Sequence, residues 1–328
     1  MPNRELFDVE LRPAIGSRFQ PTGFPDIGAA VFKRPDGDGW VDCLLVESTQ
    51  SMANRLEAVG WDAATLRPVA ELDGIPYVRV VADDDGRYLT SSRTEAHRLA
   101  SAFVKDASLD GTDMRTVIRE RLGLRDDTPI APHEIARAVF ALDPLCLLHG
   151  VFFAESAKVW PGQPRIPRAL TGFVEAIDVQ PAVSGGVKRD DVRHSVSGTG
   201  GASEGYGFIP FHRTEWVARR IVASFNLDLD QLASYGLSPD AVSLLAALAR
   251  WEMRALLDGG LRLRTACDLV PTDPAAVDRV LPALSELKDE IRALVGACAD
   301  ELGAGHALDV VWPAKKVKKA GGTNTAEE

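Results

Sequence analysis

The sequence predicts an α+β fold with a ferredoxin-like core and long insertions. Strand-like and helix-like segments alternate irregularly over the 328 residues, without the repeated strand–helix units that a large doubly wound sheet needs. The composition, 45% hydrophobic and 26% charged, is ordinary for a globular chain that buries a full core. At this length we expect one large domain or two small ones. No apolar run reaches the roughly 18 residues of a membrane span, so no membrane partner is expected.

The first half begins with a predicted hairpin and a helix. Residues 27–33 and 41–47 have the composition of strands and are separated by a turn rich in glycine and aspartate. Apolar residues at helical spacing then predict a helix over 48–59, with Ser48 as its N-cap. The other elements predicted in this half are a strand over 76–82, a helix over 92–103, helices over 112–122 and 133–142, and strands over 147–154 and 172–179.

The second half opens with a segment rich in glycine and serine, 181–207, which has little apolar periodicity. It predicts a long loop or an extended hairpin, because irregular segments of this length are usually functional or disordered. The elements predicted after it are a helix over 216–225, a helix over 239–257 capped by Ser238, a strand over 261–270, and a helical region from 273 that Pro282 interrupts. The tail, 313–328, is predicted to be disordered.

The net charge and the spacing of the cysteines disfavour two classes of protein, those that coat duplex DNA and those that bind zinc. Lysine and arginine number 37 against 47 aspartates and glutamates, a net charge of −10, which disfavours a generic basic coat for duplex DNA. The four cysteines are far apart and none lies in a C-x-x-C pair, so zinc is not expected. We expect buried, reduced thiols in a cytoplasmic protein, and the N-terminus has no signal-peptide pattern.

Motifs for catalysis are weak. His133 and Glu134 begin an H-E-x-x-H motif, but Arg137 stands where the second histidine is required. Residues 201–205 match G-x-S-x-G, yet a glycine-rich stretch precedes the serine where a nucleophile elbow needs a strand. No P-loop motif is present. The sequence therefore predicts no metal, no cofactor and no catalytic residue.

Basic side chains are concentrated in one part of the chain. Residues 165–220 carry 8 lysines and arginines against 6 acidic residues, a balance of +2, whereas the rest of the chain has −12. Histidines and aromatic residues are interleaved with these cations and could stack on bases. A nucleic-acid-binding segment and an ordinary solvated loop are both compatible with this pattern.

Two further segments place polar side chains on one face. Ser51, Asn54 and Arg55 are at i, i+3 and i+4 of the predicted helix, where they could hydrogen-bond to phosphate and ribose. Arg262 and Arg264 share one face of the predicted strand, where they could hold a sugar–phosphate backbone. Plain solvent exposure is the alternative for both segments.

Several segments along most of the chain resemble a known family. They are RFQPTGFPDIG (18–28), LLVESTQSMANRLEA (44–58), TSSRTEAHRL (90–99), LLHG (147–150), RIPRAL (165–170), SGGVK (184–188), FNLDL (225–229) and LRLRTACDL (261–269). In this order they are similar to the backbone subunit of type I-G, formerly I-U, CRISPR effector complexes, a member of the RAMP superfamily. One departure is Gly60, where the family pattern leads us to expect a cysteine.

This resemblance implies an RRM-like palm with inserted finger-like and thumb-like elements, in a single domain over 1–312. The finger-like insertion would be helical, at about 83–146, and the thumb-like hairpin would lie at about 181–207. The implied function is to bind the CRISPR guide RNA in a type I Cascade surveillance complex for antiviral defence, without enzymatic activity. The implied partners are the guide RNA, the target DNA strand paired to it, further copies of the chain in a filament, and other Cascade subunits, namely the guide-processing or cap subunit and the large subunit.

Candidate RNA-contacting residues are carried over with the matching motifs. They are Arg18, Gln20, Ser51, Asn54, Arg55, Arg93, His97, Arg98, Arg168, Lys188, Arg189, Arg262 and Arg264. Two other interpretations stay open. The chain could be a RAMP-type ribonuclease with Asp26 or His97 as the nearest candidate residues, or a structural assembly protein whose RNA contact is incidental.

Overall fold

The computed structural model describes residues 3–23, 28–188, 209–303 and 305–313. It is an α+β structure, as the sequence predicts, and its strand pairs are antiparallel apart from one parallel pair in the smaller sheet. The strands of the described residues are β1 (Arg4–Pro13), β2 (Val31–Asp36), β3 (Gly39–Glu47), β4 (Trp61–Asp62), β5 (Arg67–Pro68), β6 (Tyr77–Ala82), β7 (Tyr88–Ser91), β8 (Ser108–Leu109), β9 (Thr112–Asp113), β10 (Val151–Phe152), β11 (Arg165–Ile166), β12 (Leu170–Lys188), β13 (Ile209–Asp228), β14 (Leu261–Arg264), β15 (Cys267–Pro271) and β16 (Ala307–Trp312). The α-helices are α1 (Thr49–Ala58), α2 (Ala102–Lys105), α3 (Met114–Arg121), α4 (Pro132–Leu142), α5 (Leu145–His149), α6 (Leu229–Ala233), α7 (Pro239–Gly259), α8 (Pro274–Asp278) and α9 (Leu284–Ala297).

The larger sheet of the described residues has seven strands in the order β14-β15-β1-β13-β12-β3-β2, each antiparallel to its neighbours. Helix α1 precedes β12 along the chain, and α7 lies in the connection from β13 to the β14–β15 hairpin. Along β1, Val9 and Leu11 are buried while Glu10 and Arg12 are exposed. Along β1, one face of the sheet is therefore covered and the other meets solvent, whereas Cys43, Ile177 and Val222 form a small buried cluster elsewhere on that other face.

Helix α1 packs closely on the covered face because β12 has a glycine at the point of contact. A Cβ atom at Gly172 would lie 2.8 Å from the ring of Phe225 and 3.2 Å from the side chain of Met52. Met52 and Leu56 of α1 are both fully buried. The apolar side of α1 that its residue spacing predicts is thus the side that faces the sheet.

The smaller sheet has the order β7-β6-β16-β8-β9. Its β6 and β16 are parallel, with partners from Tyr77↔Ala307 to Ala82↔Trp312. Strand β16 was not predicted from the sequence, and it ties residues 307–312 to a segment more than two hundred residues earlier. The segment 83–146, predicted as a helical insertion, contributes β7, β8 and β9 to this sheet in addition to helices α2, α3 and α4.

Two predicted helices are confirmed together with their caps. The Ser48 side chain accepts a hydrogen bond from the backbone N–H of Ser51 at the start of α1. The Ser238 side chain accepts one from the backbone N–H of Ala241 at the start of α7, whose first residue is Pro239. These caps depend on residues within the first turn, so the sequence alone was enough to predict them.

The prediction of a helix over 216–225 is wrong, because these residues belong to β13. This strand pairs with β1 on one side and β12 on the other, and those partners are far away in sequence. Residues such as Val217, Ile221 and Val222 favour a strand once such partners exist. The strand predicted over 261–270 is two strands, β14 and β15, which form a tight hairpin.

Two other predicted elements are also wrong. Residues 92–103, which start with capping-box spacing, form a turn and a short 3-10 helix, and α2 begins only at Ala102. Arg98 has φ +51°, which an α-helix does not accept. The strand predicted over 147–154 is helix α5 followed by β10, with Gly150 at φ +79° between them. A short apolar run suits a buried helix and a buried strand equally well.

The four cysteines are buried and unpaired by disulfides, as predicted. Among the helices of the described ranges, none is both long and apolar enough to cross a membrane. The G-x-S-x-G match and the predicted tail beyond residue 313 lie outside the described residues.

Candidate nucleic-acid interface

A long β-ribbon extends from the larger sheet. Strands β12 and β13 pair from Leu170↔Leu227 to Lys188↔Ile209. Within the described residues, β3 pairs only with 174–177 of β12, and β1 only with 221–228 of β13. Residues 182–188 and 209–215, here named the projecting ribbon, therefore continue beyond their neighbours in the sheet. The sequence predicted a long loop or an extended hairpin over 181–207, and residues 181–188 agree with the hairpin because they are the end of β12. Residues 189–208 lie outside the described residues.

A cleft of about 470 Å³, here named the first cleft, lies beside the projecting ribbon. Three parts of the chain contribute polar side chains to its wall: Gln20 and Thr22 from the N-terminal loop, His212 and Arg213 from the ribbon, and Arg264 from β14. These side chains are separated by up to about 240 positions in sequence, and the sheet brings them together.

The N-terminal loop of the first cleft is held in place by hydrogen bonds to the sheet. Phe19 and Trp216 exchange two backbone hydrogen bonds of 2.9 and 2.8 Å. The Gln20 N–H donates to the Ala266 carbonyl at 2.7 Å, and the Thr22 hydroxyl donates to a carbonyl of β3 at 2.8 Å. A loop fixed at several points presents the Gln20 side chain with little loss of conformational entropy on binding.

The arginines that line the first cleft, Arg213 and Arg264, are incompletely neutralised, as is Arg18, which does not line the cleft but shares a carboxylate with Arg213. Glu215, 8% exposed, lies 3.1 Å from Arg18 and 3.7 Å from Arg213, so one carboxylate serves two guanidinium groups. Both arginine side chains remain about half exposed. Arg264 donates to the Pro21 carbonyl at 3.1 Å, a neutral partner. The cleft therefore keeps a positive balance with N–H groups available for an anion.

Arg55 connects α1 to β14. Its Nη2 donates to the Leu263 carbonyl at 2.6 Å, and its Nε lies 4.0 Å from a carboxylate oxygen of the fully buried Glu47. Of the polar face predicted on this helix, Asn54 is exposed, whereas Ser51 and Arg55 are half-buried.

A second, separate cleft of about 530 Å³ lies between segments 96–105, 149–154 and 165–168. Its lysine and arginine side chains are Arg98, Lys105, Arg165 and Arg168, its histidines are His97 and His149, and no aspartate or glutamate of the described chain is among its lining residues. It shares no lining residue with the first cleft. Three predicted RNA-contacting residues, His97, Arg98 and Arg168, are therefore neighbours here.

Two arginines predicted to contact RNA lie inside the protein instead. Arg93 pairs with Asp143 at 2.9 Å, and both side chains are at most 4% exposed. Arg98 binds both carboxylate oxygens of Glu57 and donates its remaining Nη1 to the Gly150 carbonyl. Burial alone would lower the pKa of Arg98, but the charge and hydrogen bonds of Glu57 raise it. A buried guanidinium whose donors are used in this way holds the fold together and offers nothing to a phosphate.

The remaining predicted residues are scattered. Arg262 is exposed on β14, with Leu261 and Leu263 buried as the alternation predicts, but it does not line the first cleft. Lys188 is the last residue of β12. Arg189, and Asp26 of the ribonuclease alternative, lie outside the described residues.

A known protein family matches the first half of the chain. The family model described as CRISPR-associated protein GSU0053 matches residues 6–181, more than half of the sequence. The chain belongs to this CRISPR-associated family. The matched segment includes the N-terminal loop, α1, the second cleft and β12 up to the start of the projecting ribbon. Arg213 and Arg264 of the first cleft lie beyond the matched segment.

A comparison with solved structures finds similar chains. A chain of a structure described as a CRISPR RNA-guided surveillance complex, pre-nicking, aligns with 93% of this chain and 96% of its own length, at 12% identity and a TM-score of 0.37. No curated protein matches the sequence.

The structure also identifies cleft residues that the sequence prediction missed. Arg165 and Arg213 are part of the basic segment 165–220, so the concentration of charge was a usable signal for them. Lys105 had no such signal, because its position in the wall of the second cleft depends on tertiary packing. Across the part of the chain that the structure describes, no group of three or more histidines, cysteines and carboxylates is arranged to hold a metal ion.

Proposed function

We propose that this member of the CRISPR-associated family is the guide-RNA-binding backbone subunit of a type I Cascade complex, of the RAMP superfamily and closest in kind to type I-G. Several copies would bind along one CRISPR guide RNA and leave its bases available to the target DNA strand. The observation that carries the proposal is the first cleft, where Gln20, Arg213 and Arg264 meet beside the projecting ribbon.

The chemistry of the first cleft suits a sugar–phosphate backbone. Exposed guanidinium groups bind phosphate oxygens, and the Gln20 amide and Thr22 hydroxyl can hydrogen-bond to ribose or phosphate. Contacts of this kind position a strand without reading its sequence. Specificity would then reside in the guide, which is the division of roles expected for RNA-guided recognition.

The strand order supports an RRM-like palm. Strands β1, β12, β13 and β15 are adjacent in the order β15-β1-β13-β12, with α1 before β12 and α7 after β13. This is a β-α-β-β-α-β arrangement of the ferredoxin-like type, to which β2, β3 and β14 are added at the edges. We propose that this unit is the palm and that the region 83–146 is the finger-like insertion.

The projecting ribbon supports a thumb-like element. Val183 and Val187 are 64% and 58% exposed on it, so they contribute nothing to the core. Apolar side chains on a β-ribbon beside a cationic cleft are suited to press against bases while the arginines hold phosphates. The ribbon leads into residues 189–208, which include the predicted contact Arg189.

We further propose that the subunit binds RNA without cleaving it. The ribonuclease alternative rests on Asp26 and His97, and His97 is an exposed residue of the second cleft, whose described lining has no carboxylate to act with it. Alanine variants at the two positions should leave any cleavage of guide or target RNA by the purified protein at its background rate.

The proposal is tested by the RNA that the protein carries. The full-length chain, purified from cells that express its CRISPR array, is expected to contain short RNA, seen as raised absorbance at 260 nm that ribonuclease abolishes. The Arg213→Ala, Arg264→Ala double variant should retain less of this RNA than an Arg279→Ala control, because Arg279 is an exposed residue outside both clefts. Equal, RNA-free spectra for all three proteins would contradict the proposal.

A further inference from the structure

The second cleft contains two arginines without a carboxylate partner. The Nε of Arg168 donates to the His149 carbonyl at 3.0 Å, and no ion pair involves Arg168 within the described residues. Arg165 stacks on the ring of Phe152, with its guanidinium carbon 4.3 Å from the ring centre, and it too forms no ion pair with a described carboxylate. The guanidinium groups therefore have terminal N–H donors that no described protein group neutralises.

The neighbouring cations of this cleft are different. Arg98 is paired with Glu57, and the Nζ of Lys105 lies 3.3 Å from a carboxylate oxygen of Glu155. These two hold the walls of the cleft in place. Arg165 and Arg168 are thus the members of the cluster that remain available to a ligand.

The surroundings of Arg168 destabilise its charged form. The side chain is partly buried next to Arg98, and this burial together with the charge of Arg98 lowers the pKa of Arg168. A cation in such a setting is stabilised by an anion that replaces the water it has lost. The cleft therefore favours occupation by a negative group.

The backbone around the two arginines is fixed in advance. Gly150 has φ +79°, and a Cβ atom there would lie 2.9 Å from the Ile166 carbonyl and 3.2 Å from Cγ of Arg168. The β10–β11 ladder sets Phe152 opposite Arg165. The chain approaches itself this closely only because residue 150 is glycine, so both guanidinium groups start from defined positions.

We propose that the second cleft is a phosphate-binding site in which Arg165 and Arg168 hold one phosphate group. Guanidinium groups match the geometry of phosphate oxygens, and stacking on an aromatic ring leaves the edge donors of Arg165 accessible. The cleft volume of about 530 Å³ admits a nucleotide. The phosphate is carried either by a nucleotide chain or by a free phosphorylated compound. The site does not depend on RNA binding in the first cleft, with which it shares no residue.

Titration of the full-length protein with inorganic pyrophosphate tests the site itself. Isothermal titration calorimetry is expected to show a binding event that Arg168→Gln and Arg165→Ala each weaken by about tenfold or more, since each removes a charge-assisted hydrogen-bond donor. Arg292→Ala is the matched control, because Arg292 is 71% exposed on α9, and it should change nothing. Arg168→Lys keeps the charge and should bind with intermediate affinity.

Short fluorescent oligoribonucleotides distinguish the two sources of phosphate. In a background of Arg213→Ala and Arg264→Ala, weaker oligonucleotide binding by Arg168→Gln would assign the phosphate to a nucleotide chain. Unchanged oligonucleotide binding with weakened pyrophosphate binding would assign it to a free compound. Thermal unfolding of each variant shows that it is folded. If folded Arg165→Ala and Arg168→Gln bind both probes as the parent protein does, or if neither probe binds the parent, the phosphate site does not exist.

Discussion

Arg98 and Glu57 form a two-pronged ion pair inside the protein, with nitrogen–oxygen distances of 2.5 and 2.7 Å. Glu57 is in the last turn of α1, and Arg98 begins the 3-10 helix that borders the second cleft. The pair therefore joins the helix packed on the larger sheet to the wall of the second cleft. A second buried ion pair joins Arg93, which is close to Arg98 in sequence, to Asp143.

Removing one partner of this pair should destabilise the fold strongly. Arg98→Ala leaves the Glu57 carboxylate buried without a cation, and we expect the free energy of unfolding to fall by about 3–5 kcal/mol. Denaturant unfolding followed by circular dichroism measures this. Arg98→Lys should recover only part of the loss, because an ammonium cannot bind both oxygens in the same plane.

The control for this prediction is an exposed ion pair. Arg87 contacts Asp84 and Asp85, and all three side chains are more than half exposed. Arg87→Ala should leave the free energy of unfolding almost unchanged, because solvent screens this exposed pair. Equal effects of Arg87→Ala and Arg98→Ala would show that burial does not increase the contribution of the Arg98–Glu57 pair to stability.

Two glycines with similar φ values should respond differently to substitution. Gly150 and Gly86 have φ values of +79° and +68°, but a Cβ atom at Gly86 would meet nothing within 4 Å. Gly86→Ala should cost only the strain of the left-handed conformation, about 1 kcal/mol. Gly150→Ala adds a clash with the Ile166 carbonyl and should cost at least twice as much in thermal or denaturant unfolding. Similar costs would mean that the close approach at Gly150 is relaxed easily.

The buried thiols predict alkaline sensitivity. Burial raises the pKa of Cys267 to about 12 and that of Cys298 to about 11. The pKa of a cysteine thiol in an unfolded chain is about 8.5. Above this pH the unfolded chain therefore loses protons that the folded chain retains. The free energy of unfolding should therefore fall as the pH rises from about 9 toward these values.

Thiol reactivity checks the same point independently. In the native protein at mildly alkaline pH the four buried cysteines should react slowly with a thiol reagent, and in denaturant all should react at once. Fast native reaction at Cys267, identified by peptide mapping, would contradict the burial on which this prediction rests.

The exposed valines of the projecting ribbon should contribute to RNA binding but not to the stability of the fold. Val183→Asp with Val187→Asp should leave the free energy of unfolding within about 0.5 kcal/mol, because neither side chain is in the core. The same change should weaken RNA binding by placing carboxylates next to phosphates. Val280→Asp, at another exposed valine, is the matched control. Unaltered RNA affinity in the double variant would remove the ribbon from the proposed interface.

Local signals explain which elements the sequence could predict. Helix α1 was predicted from its cap, Ser48, and its apolar spacing, and helix α7 from its cap, Ser238, with a proline at its first residue and a glycine at its end, all of which lie within or next to the helix itself. Strand β13 was mistaken for a helix because its state is decided by pairing with β1 and β12. Strand β16 depends likewise on a parallel partner far away in sequence. Long-range pairing of this kind leaves no mark within a short window.

The candidate site shows the same limit. Arg264 was predicted from strand alternation and does line the first cleft. Arg93 and Arg98 were predicted as contacts because they lie in the segment 90–99 that resembles the family, but both are neutralised by partners, Asp143 and Glu57, that are dozens of residues away. Only the folded chain determines which cations have a carboxylate partner. The sequence could therefore propose a set of basic residues, but it could not separate the buried, paired arginines from those available to RNA.

The salt dependence of RNA binding is the decisive test of RNA binding in the first cleft. The affinity of the RNA-free, full-length protein for a short oligoribonucleotide is expected to fall steeply with salt, as counterions are released from several phosphates. The Arg213→Ala, Arg264→Ala variant should bind more weakly, and each lost phosphate contact should reduce the slope of log affinity against log salt by about 0.7. Affinity that is independent of salt, or a slope unchanged by removal of both arginines, would contradict an RNA-binding role for the first cleft.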